Sequence, residues 1–167
     1  MTDSTPAPAH ETTGGFSPDE LLAQEESLVL VSFTRDDAID LGLAVLTLAS
    51  ERSLPVVIEI RDLEQVLFRA ALPGSSIAND SWIARKTRVV EEFGHSSLYE
   101  RVRHEAVGTT FGAATGLPES EYAAHGGGFP LVVEGVGRQG VLVVSGLPQV
   151  SDHELVVEAL QAHLETS

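Results

Sequence analysis

The sequence predicts an α+β domain on a central, largely antiparallel sheet, with five strands and four or five helices. Two pairs of short apolar runs, 56–60 with 66–70 and 129–134 with 141–145, are each joined by a few turn-forming residues, so each pair should be an antiparallel hairpin. Runs of helical periodicity, most opened by side-chain caps, lie before, between and after them. No segment of the chain repeats another.

Taken in order, Ser17-Pro18-Asp19-Glu20 is a capping box with proline at the first helical position. Phe16 and Leu21 stand where a hydrophobic staple needs them, and a helix is expected over 18–26. Leu28 to Phe33 is an apolar run and reads as a buried strand. Thr34 to Asp37 caps a second helix reaching Arg52, with Ile39, Leu43, Leu46 and Ala49 as its inner face. After the 56–60/66–70 hairpin, Ser76 is placed to cap a long helix over 77–93, whose apolar face is Ile77, Trp82, Ile83, Val89, Val90 and Phe93 and which Gly94 ends. A further helix is expected over 97–106 and an irregular, glycine-rich stretch over 107–128. Ser151-Asp152-His153-Glu154 reads as the capping box of the last helix, with Leu155, Val156, Leu160 and Leu164 inward.

The chain has 167 residues, which suits one domain. It has no cysteine, which excludes disulfides, thiolate catalysis and cysteine-based metal sites. The opening MTDSTPAPAHETTGG has neither a basic nor an apolar region of a signal peptide, so residues 1–15 are expected as a disordered tail, 16–167 as the single domain, and the location as cytoplasmic. A net charge of −15 argues against nucleic acid or an anionic membrane as a partner, and no apolar run is long enough to span a bilayer. Three of the ten basic residues, Arg85, Lys86 and Arg88, nevertheless fall within four positions.

Gly135, Gly137 and Gly140 have the G-x-G-x-x-G spacing of a dinucleotide site. That chemistry needs a strand before the glycines and a helix after them, so that the helix N-terminus meets the pyrophosphate. Here Val141-Leu142-Val143-Val144 follows, a strand-type run, so the glycines read as a hairpin turn. No H-E-x-x-H motif and no G-x-S-x-G elbow is present, which argues against a zincin and a serine hydrolase.

Several motifs together resemble the haem-degrading domain family, which includes the GlcG-like and HbpS-like proteins. They are Asn79-Asp80-Ser81-Trp82-Ile83-Ala84-Arg85-Lys86, Phe93-Gly94-His95-Ser96-Ser97, His125-Gly126-Gly127-Gly128-Phe129-Pro130, Val144-Ser145-Gly146-Leu147-Pro148 and Asp152-His153. The resemblance covers about residues 20–165 and is nearest to a branch of small cytosolic proteins, largely uncharacterised. It implies a profilin-like α/β/α arrangement and a homo-oligomer, dimeric or higher. Some members of the family bind or degrade haem or act as redox sensors.

Each candidate side chain has a functional and a structural reading. His125, before three glycines, could ligate haem iron or act as an acid/base, with Gly127 letting a ligand come close; alternatively the glycines make a turn and His125 faces water. His95 could ligate iron or hold the carbonyls of the preceding helix end. His153, in the first turn of the last helix, should stay neutral beside the helix dipole. Arg85, Lys86 and Arg88 could hold carboxylates such as haem propionates, or form a solvated face with an Arg88–Glu92 pair. Haem or a similar planar carboxylated ligand near Arg85, Lys86, His95 and His125 is the leading expectation. An oligomeric assembly module using Trp82 and 145–152, and a small-molecule enzyme acting on a carboxylate, are the alternatives.

Overall fold

The computed structural model describes residues 12–166. Its helices are α1 (Pro18–Ser27), α2 (Arg35–Glu51), α3 (Ala78–Phe93), α4 (Ser97–Glu105), α5 (Phe111–Thr115) and α6 (Gln149–Thr166). Its strands are β1 (Val57–Asp62), β2 (Val66–Ala71), β3 (Gly128–Val133) and β4 (Gly137–Ser145), in one antiparallel sheet of order β2-β1-β4-β3. The expected tail lies outside the described residues as far as 11, but residues 12–15 of it are ordered: Thr12 Oγ1 donates to Glu105 Oε2 at 2.9 Å and Thr13 is buried.

Alternation along the strands sorts the core into layers. On one face Ile58, Ile60, Leu142 and Val144 pack with Leu41 and Val45 of α2 and Val156 and Leu160 of α6. On the other, Val57, Val141 and Val143 meet Ile83 and Val90 of α3. The same alternation puts Ser145, two positions beyond Val143, on the α3 face.

Local chemistry produced most elements as expected. Glu20 N donates to Ser17 Oγ at 3.2 Å and Ser17 N to Glu20 Oε2 at 3.3 Å, opening α1. The same exchange between Thr34 and Asp37 opens α2. Gly94, at φ 76°, ends α3. Gly135 and Gly137, at φ 76° and 106°, turn β3 into β4, so the G-x-G-x-x-G string is a hairpin.

Four expectations need correction. The sheet has four strands: Leu28 N bonds back to Gln24 and Glu25 as the cap of α1, Val31 is exposed, and only Leu30 bridges the β3 edge, at Val133. α2 is rotated from the expected face, burying Ala38, Leu41, Val45 and Ala49 and exposing Ile39 and Leu43. Ser76 lends no side-chain cap to α3, and Ile77 is exposed; Asn79 reaches back instead and accepts from Ser76 N at 2.9 Å. Finally, α6 starts at Gln149, two residues before Ser151, with the Asp152 carboxylate turned back to accept from Leu147 N at 3.0 Å.

Candidate functional site

The inward stripe of α3 runs Ile83, Lys86, Thr87 and Val90, spaced i, i+3, i+4 and i+7, so a lysine holds a core position. Lys86 is 2% exposed and Asp152, on the first turn of α6, 1%. Lys86 Nζ donates to Asp152 Oδ2 and to the Val144 carbonyl oxygen, each at 3.0 Å. Burial pushes the Lys86 amine down and the Asp152 carboxyl up, while their mutual attraction works against burial in each.

The glycine triplet lies against this pair. A Cβ on Gly127 (φ 130°) would stand 2.4 Å from the Val144 carbonyl oxygen and 2.8 Å from Lys86 Nζ, and one on Gly126 would stand 2.2 Å from the Gln149 carbonyl oxygen. The space that glycine leaves at these two positions is taken by the protein's own backbone and its buried amine.

His125 is the wall between two clefts. One, of about 360 Å³, is lined by Asn79, Trp82, Lys86, Ser145 and Asp152 among others. The second, of about 300 Å³, is lined by Arg101, Glu105, Phe111 and Tyr122 among others. The His125 ring meets Trp82 edge-on at 4.9 Å, and the Arg85 guanidinium lies over the other ring system of this stack, 4.1 Å from the Trp82 centroid. His125 makes no hydrogen bond to the described residues. Burial first, then the charges of Arg101, Lys86 and Arg85, hold its pKa down to about 4, so the imidazole is neutral at neutral pH.

The other candidates are dispersed. Arg85 and Arg88 donate to the carbonyl oxygens of Glu119 and Glu121, at 2.9 and 3.0 Å, and so tie down the loop after α5. Arg85 Nε is buried with no hydrogen-bond partner among the described residues. His95 belongs elsewhere: its Nδ1 lies 3.0 Å from Glu25 Oε2 of α1, its ring stacks on Tyr99 at 4.7 Å, and it lines a separate groove with Leu22 and Pro130. Glu25 also accepts from Ser96 N at 2.9 Å. His153 is fully buried; its Nε2 bonds Gln24 Oε1 at 2.7 Å and burial pushes its pKa down to about 4. It is neutral as expected, although it stands fifth in α6 rather than at the helix start.

The Lys86–Asp152 pair escaped sequence reasoning, because the two residues are 66 positions apart and Asp152 reads locally as a cap. Asn79 was also missed as a lining residue. Among the described residues no group of three or more His, Asp or Glu side chains could hold a metal ion, and no helix is long and apolar enough to cross a membrane.

Comparison with known proteins places this architecture. The family model described as haem degrading protein HbpS-like matches residues 33–161. A UPF0303 protein of Streptomyces coelicolor is 55% identical over 142 residues, covering 85% of this chain and 90% of that protein. A UPF0303 protein of Paraburkholderia xenovorans is 44% identical over 144 residues, covering 86% and 87%. Among solved structures, Ybr137w superposes with a TM-score of 0.86 at 32% identity, covering 95% of this chain and 94% of that one. A PduOC–haem complex superposes at 0.65 with 21% identity, covering 79% and 95%, a likeness of fold alone.

Proposed function

This chain belongs to the HbpS-like haem-degrading family, and within it we propose that the chain binds haem, or a smaller planar carboxylated molecule, where the two clefts meet at His125. The observation that carries this reading is the His125 imidazole: neutral, unbonded and shared by both clefts. His125 would be the residue to hold the iron of a bound haem, through its neutral imidazole. A propionate would need a cationic donor, and Arg101, which lines the second cleft together with His125, could supply one. The residues present therefore fit the group. Each cleft lies near the roughly 300 Å³ lower limit of ligand pockets, which would suit a small acid or part of a larger planar ligand. The haem-bound state of the PduOC relative supports the same reading.

His95 and Arg88 take no part in this site, His95 because it is held by Glu25 in another groove and Arg88 because it anchors a loop. Lys86 lines one of the two clefts, and Gly127 packs against its amine. Haemin titration of the purified protein should produce a Soret shift that His125→Ala abolishes and His95→Ala leaves intact. No shift, or a shift indifferent to His125, overturns the proposal. Self-association, which the family resemblance implies, is supported by Ile39 and Leu43, left exposed on α2. Light scattering should then report at least a dimer, and a monomer would refute it.

A further inference from the structure

Lys86 is the only lysine of the chain; the other nine basic side chains are arginines. That one amine is buried, and it lines the larger cleft. Arginine would pair with Asp152 through two N–H groups and keep its charge at any ordinary pH. What lysine alone brings is an amine that can lose a proton and attack carbon. An ammonium has three N–H bonds. Two are directed at Val144 and Asp152, and the third has no acceptor among the described residues where Lys86 lines the cleft.

We infer that Lys86 is a carbonyl-capturing nucleophile, forming an imine with a small aldehyde or ketone that carries a polar or acidic group. The proton acceptor is already in contact, since Asp152 Oδ2 stands 3.0 Å from Nζ. A proton passes from the ammonium to that carboxylate. The nitrogen lone pair then forms a bond to the carbonyl carbon, and a proton moves from nitrogen to the former carbonyl oxygen, giving a carbinolamine. Asp152 returns its proton to the carbinolamine hydroxyl, the C–O bond breaks and water leaves. The product is an iminium whose positive charge again faces the Asp152 carboxylate, so charge is the same before and after and no oxidant or reductant is consumed.

The surroundings define the substrate class. The Asn79 amide and the Ser145 hydroxyl, 3.4 Å apart, are hydrogen-bonding groups for a carbonyl oxygen or a neighbouring hydroxyl or carboxylate. Trp82 supplies a flat wall and His125 a neutral imidazole. A cleft of about 360 Å³ admits a small molecule. The downward push of burial on the amine works in the same direction, by raising the fraction of free base. The inference needs only this cleft and does not depend on haem binding.

The test is reductive trapping on the whole protein. Native protein is incubated with glyoxylate, and in parallel with glyceraldehyde and pyruvate, then reduced with borohydride and mapped by peptide mass spectrometry. The sole lysine makes the assignment unambiguous, the amino terminus being the only other primary amine. At neutral pH an adduct is expected at Lys86, forming faster than at the same lysine in the urea-unfolded protein, because burial pushes the folded amine down toward its free base. Lys86→Arg should abolish it. If that variant does not fold, the wild-type peptide map decides alone. An adduct confined to the amino terminus, or appearing at Lys86 only after unfolding, would leave Lys86 as one half of a structural ion pair and overturn the inference.

Discussion

His125 and His95 each stand next to a glycine in the chain, and each was a candidate iron ligand; the structure treats them in opposite ways. His95 has its Nδ1 against the Glu25 carboxylate and its ring on Tyr99, so it joins α1 to the start of α4. His125 has an aromatic neighbour but no hydrogen-bond partner among the described residues, and the charges that act on it are those of Arg101, Lys86 and Arg85. Glu25 occupies the His95 ring nitrogen that it faces; burial, then the nearby charges of Arg101, Lys86 and Arg85, keep the His125 ring neutral. The chemistry available to a histidine is therefore set by what holds its nitrogens.

The largest expected effect comes from the support beneath His125. Asp152→Ala leaves the Lys86 ammonium buried without its partner and should cost about 3–5 kcal/mol of stability. Glu25→Ala, the matching cut on the His95 side, removes hydrogen bonds at a half-exposed ring and one backbone amide and should cost about 1–3 kcal/mol. Urea denaturation midpoints of the two variants measure the contrast; equal losses would erase it.

Acid offers a second contrast. His153 and His125 have folded pKa values of about 4, below the ordinary value near 6.5. Above that ordinary value neither the folded nor the unfolded chain is protonated at these sites. As the pH falls from about 6.5 to about 4, only the unfolded chain takes up the protons, so stability falls across that window and levels off below it. The buried His153 alone should account for about 3 kcal/mol of that loss, at 1.36 kcal/mol per pKa unit. His153→Gln should flatten the pH dependence measured by thermal or urea unfolding, and NMR titration should place the His125 midpoint near 4. A His125 midpoint near 6.5 would remove the distinction between the two regions.

The smallest effect belongs to the cap of α1, the helix that carries Glu25. Ser17→Ala should cost about 1 kcal/mol, read as a shift in melting temperature, and leave haemin binding unchanged.

These regions also divide in how far they could be read from sequence. The caps at Ser17 and Thr34, the stop at Gly94 and the two hairpins are settled within a few residues, and they were legible. The strand expected at 28–33 failed because an apolar run carries no information about which sheet edge will receive it; only Leu30 found one. Ser151 failed as a cap because Asp152, drawn back toward Leu147 and Lys86, let α6 begin at Gln149. Arg85, Lys86 and Arg88 looked like one basic cluster, yet a helix turns about 100° per residue, so adjacent side chains diverge. Lys86 went to the core and the arginines to the loop. One signal for that separation was available, the presence of a single lysine in a chain otherwise supplied with arginine.

By itself, then, the sequence determined the helices that cap themselves, the hairpins, the dismissal of the nucleotide motif and the family, because turn chemistry, periodicity and motif strings act over short spans. Only the tertiary structure decided that the sheet has four strands, that His125 rather than His95 is left with free nitrogens, and that Lys86 faces Asp152 across the core. Those outcomes depend on burial and on partners up to 70 residues away, and burial and long-range pairing are properties of the assembled fold rather than of any local stretch of chain.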